Sequence, residues 1–406
     1  VTYPESIDWL FSTQLFGIKP GLEGPRRLLK EYLAYPAHGV KVIHVAGTNG
    51  KGSTCAMIDA VARAGGTRTG LFTSPHLVDY RERVRVSGAE IPEEECAAML
   101  TELRELSAAM DPHPTFFEIS LVLAMRWFRE RECELIVLET GMGGRLDATT
   151  AVPADVCAIT PVGLDHTQWL GGTVERIAAE KAGIFVEGKP AVSAPQEAAV
   201  RKVLEKEANQ RRTPLSWIEA PLAGYPVALP GIHQRWNAAL ALECLYQAGV
   251  RLDYEVVLHG LSSVRWPGRF ERFEHRGRVV VLDGAHNPQG AAVLAEAWRE
   301  QFGARKAALV FSAVADKDHA GMLAVLGPLA EVIHLCPVDS PRAVAPGELA
   351  ACLPAGAPPH VLHPSFTAAF EAALAGGEPV LVAGSLFLVG EARARLAGGV
   401  FQPSMQ

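Results

Sequence analysis

The chain has 406 residues, of which 49% are hydrophobic and 20% charged, with a net charge of -7. A length beyond one ordinary core predicts two domains, and the hydrophobic and charged fractions exclude a disordered or membrane-embedded chain. The acidic balance argues against general nucleic-acid binding, which needs a basic face.

The amino-terminal stretch VTYPESIDWL carries Glu5 and Asp8, has no basic segment and runs into no long apolar one, so no signal peptide is expected. Short β-branched runs then alternate with longer amphipathic stretches, the pattern of βα units around a mostly parallel sheet. Strands are expected over 40–45, 69–73, 135–138 and 156–160, and helices over about 53–64 and 117–130. A further helix over 174–182 has Thr173 as its cap and Gly183 as its stop, and a long helix follows near 233–248. The segment Arg265-Trp266-Pro267-Gly268-Arg269-Phe270 has the Pro and Gly of a connection, after which a fresh βα series begins with a strand over 279–283. Further strands are expected over 308–311, 332–335 and 380–382. The expected fold class is α/β: a P-loop domain over 1–267 with a mostly parallel sheet, and a smaller α/β domain over 268–406. The cysteines, Cys55, Cys96, Cys133, Cys157, Cys244, Cys336 and Cys352, are odd in number, dispersed and free of any C-x-x-C pair. Neither a disulfide framework nor a zinc site is expected, and a reducing, cytoplasmic compartment is.

The strongest local motif is Gly47-Thr48-Asn49-Gly50-Lys51-Gly52-Ser53, between a predicted strand and a predicted helix. That placement aims backbone N–H groups and the positive helix end at a phosphate chain, with Lys51 adding charge near its outer phosphates. The usual P-loop has Ser or Thr directly after the lysine; here Gly52 intervenes before Ser53 and Thr54. Three polar segments follow at strand ends: Thr73-Ser74-Pro75-His76-Leu77, Glu139 to Ala148, and Leu164-Asp165-His166-Thr167. In a parallel sheet the carboxyl ends share one edge, so Ser74, Glu139 and His166 are expected to meet beside the P-loop. Oxygen ligands suit Mg²⁺, which keeps several waters and bridges phosphates, so few protein ligands are needed. Alone, such a Glu is more often a cap and such a His a hydrogen-bonded structural residue; their joint placement favours a site.

These segments, together with Gly17-Ile18-Lys19-Pro20-Gly21-Leu22-Glu23, Glu180-Lys181-Ala182-Gly183-Ile184, Asn237-Ala238-Ala239, Asp283-Gly284-Ala285-His286-Asn287-Pro288 and Gly384-Ser385-Leu386, resemble the folylpolyglutamate synthase branch of the Mur ligase superfamily over almost the whole chain. The resemblance implies ATP- and Mg²⁺-dependent ligation of glutamate to a folate, with Ser74 and Glu139 on a first Mg²⁺ and Glu139, His166 and a carbamylated Lys181 on a second. It implies that Asn237, Arg269 and Asp283 complete the ATP site from the far side of a cleft. Thr115, Phe117, Asp147 and Ala148 would receive the pterin, and His286 and Ser385 the incoming glutamate. Where the family often reads Gly-Leu-Glu-Arg, this chain has Gly24-Pro25 before Arg26 and Arg27. The stretch Gly144-Arg145-Leu146-Asp147-Ala148 resembles bifunctional members, which adds dihydropteroate to the reduced folates as acceptor. Small molecules are the expected partners of a monomer, with neither nucleic acid nor membrane among them.

A carboxylate has a poor leaving group, so ATP must first convert it to an acyl phosphate, which the glutamate amine then attacks; positioning and charge neutralisation carry most of such catalysis. Two other readings compete. A muramyl-peptide ligase would carry a separate amino-terminal domain, and only about forty residues precede this loop. A nucleotide-gated scaffold would hydrolyse ATP without glutamate.

Overall fold

The computed structural model of the chain describes residues 1–17 and 21–403, so Ile18, Lys19 and Pro20 of the amino-terminal motif lie outside the described residues. The chain separates into two compact units. The first comprises Val1–His76, Tyr80–Ala228 and Arg235–Val264; the second comprises Leu77–Asp79, Leu229–Gln234 and Arg265–Gln406. The second unit is therefore assembled from three stretches of sequence, two of them embedded in the run that builds the first.

The strands of the first unit are β1 (Lys41–Ala46), β2 (Thr69–Phe72), β3 (Val84–Val86), β4 (Ala89–Glu90), β5 (Leu135–Glu139), β6 (Val156–Ile159), β7 (Ala191–Ser193) and β8 (Leu215–Trp217). They form one sheet in the order β4-β3-β2-β5-β1-β6-β7-β8, parallel throughout except for the antiparallel edge made by β3 and β4. Wholly buried strands such as Leu135–Glu139 read as continuous apolar runs because helices cover both faces of a parallel sheet. The helices of this unit are α1 (Tyr3–Ser12), α2 (Glu23–Glu31), α3 (Lys51–Ala64), α4 (Glu93–Ala108), α5 (Phe116–Glu130), α6 (Thr167–Leu170), α7 (Val174–Lys181), α8 (Ala198–Arg211), most of α9 (Ile232–Gln247) and α10 (Tyr254–Ser263).

The second unit holds β9 (Glu271–His275), β10 (Arg278–Leu282), β11 (Ala307–Phe311), β12 (Ala330–Leu335), β13 (His360–Leu362) and β14 (Val380–Ala383), in the order β13-β12-β11-β14-β10-β9. Its series opens with an antiparallel β9–β10 hairpin, and not with the strand expected at 279. The reason lies in β9 itself: Glu271–His275 alternates half-buried and exposed positions and carries too few apolar residues to stand out. Helices α11 (Pro288–Phe302), α12 (His319–Leu326), α13 (Pro346–Ala351), α14 (Phe366–Ala375) and α15 (Leu386–Ala397) complete it.

Two further expectations need correction. Helix α3 starts at Lys51, two residues before the expected Ser53. Gly183 does not stop α7; it sits in a 3-10 turn, Ala182–Ile184, where a Cβ would overlap the Arg145 backbone, so it permits a close approach. Thr173 does cap α7, its hydroxyl accepting the Arg176 amide at 3.4 Å. All seven cysteines are free, and six of them are buried. Among the described residues no helix is long and apolar enough to cross a membrane.

Candidate active site

Strand order places the site. With β2, β5, β1 and β6 side by side and parallel, the segments leaving their carboxyl ends share one edge: Thr73-Ser74, the residues after Glu139, the Gly47–Ser53 turn, and Thr160 to His166. The turn has little room. Gly47 (φ +148°) would place a Cβ into Thr160 Oγ1, and Gly50 (φ +91°) would place one 2.7 Å from Asn237 Oδ1, so both positions require glycine. The Thr48 and Asn49 amides donate to Pro161 O at 3.0 and 3.2 Å, and the Thr48 hydroxyl exchanges hydrogen bonds with Gly163 at 3.0 Å. These two amides therefore brace the turn and do not face a phosphate, contrary to the sequence expectation. The amides that open α3, at Lys51, Gly52 and Ser53, lie at its positive end, where an anion is favoured. Lys51 Nζ folds back to donate to Thr48 O at 3.3 Å.

Glu139 closes β5, is buried, and accepts the Ser74 amide on Oε2 at 3.1 Å, so the two expected ligands of a first metal ion are brought together. Lys181, buried at the end of α7, donates from Nζ to Gly47 O at 2.6 Å, joining it directly to the Gly47–Ser53 turn. Burial, and then the nearby Lys51 cation, push the Lys181 amine down to about 7, with Asp165 and Asp147 opposing. His166 occupies a left-handed conformation (φ +50°) before α6, and its amide donates to Asp165 Oδ1 at 2.9 Å. The hard oxygens that Ser74 and Glu139 bring together suit Mg²⁺. Among the described residues no group of three His, Cys, Asp or Glu side chains is placed to hold a metal.

Of the residues expected to receive a pterin, Thr115 is the N-cap of α5: its hydroxyl accepts the Glu118 amide at 3.3 Å while Glu118 Oε2 accepts the Thr115 amide at 2.6 Å, a capping box. Phe117 is partly buried, tilted against Phe72 with ring centroids 5.6 Å apart, and a Cβ on Gly141 would lie 2.7 Å from its Cζ. Asp147 is buried and caps the 3-10 turn Ala148–Ala151. Its carboxylate collects the Thr149 amide and hydroxyl on Oδ1 and the Met142 amide on Oδ2, and burial still raises its pKa above the ordinary value.

In the second unit, β11, β14 and β10 are adjacent, so the segments after Leu282 and Ala383 also share an edge. The Gly384 amide donates to Ala285 O at 3.0 Å, which sets Ser385 beside the Asp283–His286 segment. Asp283 accepts the Phe270 and Ala285 amides at 2.9 Å each, and burial raises its pKa against the pull of Arg269. Arg269 lies over Gly284, where any Cβ would overlap its Nη1. His286 Nδ1 is 2.8 Å from Gly284 O, and the Ser385 hydroxyl caps α15 by accepting the Phe387 amide at 3.2 Å.

Comparison with known proteins matches the Mur ligase middle domain model to residues 45–213 and the Mur ligase glutamate ligase domain model to residues 268–386. The Bacillus subtilis dihydrofolate synthase/folylpolyglutamate synthase is 34% identical, with 97% of this chain and 99% of that protein covered. The chain belongs to the folylpolyglutamate/dihydrofolate synthase family of Mur ligases. Its members are ATP-dependent, amide-forming ligases, and so is this chain. A solved structure of Escherichia coli FolC with DHPP and ADP superposes with a TM-score of 0.86 at 32% identity, covering 97% of each chain. The bifunctional folylpolyglutamate synthase/dihydrofolate synthase of Yersinia pestis, complexed with AMPPNP and a Mn ion, gives 0.86 at 32% identity over 98% of each.

Against this family background, several polar residues at the site carry no expectation from sequence. Thr160 walls the Gly47–Ser53 turn, Asp165 acts on Lys181 electrostatically, and His44 and Thr149 lie behind Asp147. His44 left a signal, a polar residue inside the apolar run Val42 to Ala46, and Asp165 stands in a polar strand-end segment already singled out.

Proposed function

We propose that this ligase joins L-glutamate to the carboxylate of a reduced folate, and also to dihydropteroate, through an acyl phosphate, with the residues above in named roles. The chain uses ATP and a divalent metal ion. The observation that carries the assignment of roles is the bond from Lys181 Nζ to Gly47 O, which ties the end of α7 to the Gly47–Ser53 turn, on the sheet edge where Ser74 and Glu139 also meet.

On this reading Gly47, Thr48 and Asn49 shape the turn, and the amides of Lys51, Gly52 and Ser53 bind phosphate oxygens from the start of α3. Lys51 offsets the charge that grows on those oxygens as the folate carboxylate attacks the γ-phosphorus. Ser74, Glu139, His166 and carbamylated Lys181 would hold magnesium, which when bound neutralises phosphate charge; a lysine carbamate is anionic and offers oxygens where an ammonium would repel a cation. Asn237, packed on Gly50, contributes to the nucleotide site. Arg269 and Asp283 are proposed for ATP, and His286 and Ser385 for the incoming glutamate, on the family resemblance together with their shared sheet edge. Phe117 supplies a ring face for the planar pterin beside Thr115, Asp147 and Ala148. The protein acts as a cytoplasmic monomer on small molecules.

Purified protein assayed with dihydropteroate and with tetrahydrofolate in parallel tests the reading. Glutamate-dependent ADP release with both acceptors is the expected result. ADP release that ignores glutamate and acceptor would overturn it in favour of a nucleotide-hydrolysing scaffold.

A further inference from the structure

His44 is a buried histidine with no part in the chemistry described so far. It lies on β1, the strand that runs into the phosphate turn, and is 1% exposed. Its Nε2 is 2.7 Å from Thr149 Oγ1. The Thr149 hydroxyl in turn donates to Asp147 Oδ1 at 2.5 Å, and the Thr149 amide donates to the same oxygen at 3.0 Å. Because the single hydroxyl proton of Thr149 is directed to Asp147, the hydroxyl oxygen accepts from His44, which makes His44 the Nε2–H tautomer. Burial holds the His44 imidazole down to about 3, so it remains a neutral donor throughout the neutral range.

We propose that His44 and Thr149 are positioning residues for the acceptor substrate, a donor relay that keeps the Asp147 carboxylate ionised and fixed for recognition of the pterin ring. A pterin presents N–H donors along one edge, and an ionised carboxylate accepts them where a carboxylic acid competes with them. The relay supplies the charge-assisted bond that offsets the desolvation of Asp147, and it joins the pterin loop to the strand that ends at the phosphate turn. The inference rests on the placement of Asp147 in the head-group site.

Steady-state kinetics of full-length variants test it, with dihydropteroate and ATP varied separately. Thr149→Val is expected to raise the KM for dihydropteroate roughly tenfold or more, the scale of a lost charge-assisted hydrogen bond, while the KM for ATP stays within about twofold. Thr149→Ser, which keeps the hydroxyl, restores the parent value. His44→Leu moves the same KM in the same direction and His44→Gln, which keeps an N–H donor, largely restores it; this pair decides the matter if Thr149→Val does not fold. If folded Thr149→Val and His44→Leu leave the dihydropteroate KM unchanged, or raise both KM values alike, while Asp147→Asn raises it, the relay is wrong and the head-group assignment stands. If Asp147→Asn also leaves it unchanged, the assignment of Asp147 falls and the relay with it.

Discussion

Lys51 and Lys181 bond neighbouring carbonyl oxygens of the same turn, Thr48 O and Gly47 O, yet burial separates their roles. Lys51 is half-buried, and on the proposed reading its ammonium serves a ligand more than the core. Lys51→Ala should therefore lower turnover by at least about a hundredfold while leaving thermal stability almost unchanged; activity near the parent level would remove Lys51 from the phosphate site. Lys181 is buried, and an amine held down to about 7 is substantially neutral at physiological pH. Only a neutral amine can add carbon dioxide, so carbamate occupancy should fall as pH drops below about 7 and the amine takes a proton. A ¹³C NMR signal from protein equilibrated with labelled bicarbonate, absent in Lys181→Ala, is the expected observation. Activity of Lys181→Ala should be partly restored by acetate; a silent spectrum from active enzyme would rule the carbamate out.

At the scale of the element, parts that obey a strong period were legible and parts held by distant partners were not. The buried strands β1, β5 and β11 stand out because a parallel sheet covered on both faces leaves continuous apolar runs. The three-residue β3 is too short to carry such a run, and β4 and the polar β9 lie at sheet edges with a single neighbour each. The meeting of Ser74 and Glu139 at strand ends could be anticipated for the same reason as the strands. The braces of the site could not: Pro161 O holding the Thr48 and Asn49 amides, or Thr149 behind Asp147, depend on tertiary neighbours. Thr115 shows how one residue answers to both kinds of reasoning, because it caps α5 as well as standing among the candidate pterin contacts. Thr115→Ala should cost about 1 kcal/mol through the lost cap, whereas Thr115→Asp should keep the cap and most of the stability. Urea denaturation of both variants separates the effects: an acceptor KM raised in Thr115→Asp at parent stability marks a substrate contact, and parent KM in both variants marks a cap alone.

At the scale of the whole molecule, the sequence boundary at 267/268 and the structural one differ in a way that matters for folding. The second unit includes Leu77–Asp79, which follow directly on the Ser74 loop of the first. Leu77 and Val78 are buried in a core with Val280, Leu282, Val382 and Leu388, and Val78 O accepts the Gln402 amide at 2.8 Å. Two glycines are shaped to this insertion. A Cβ on Gly268 (φ +69°) would lie 2.8 Å from Leu77 Cδ1, and one on Gly390 would overlap Leu77 O. A fragment spanning 265–406 lacks both apolar side chains, each worth roughly 1.5–3 kcal/mol when buried, and exposes the groove that received them. We expect this fragment to unfold at markedly lower denaturant than the same residues in the full chain, with amides of β10 and β14 exchanging faster. Leu77→Ala in the full chain should reproduce part of the effect, costing about 2–5 kcal/mol in the stability of those strands. Hydrogen exchange followed by mass spectrometry reads the fragment and the Leu77→Ala chain at the same amides. Equal protection of β10 and β14 in the fragment, the Leu77→Ala chain and the parent would mean that the second unit stands without the Leu77–Asp79 segment, and that its apolar contacts there contribute nothing to the core.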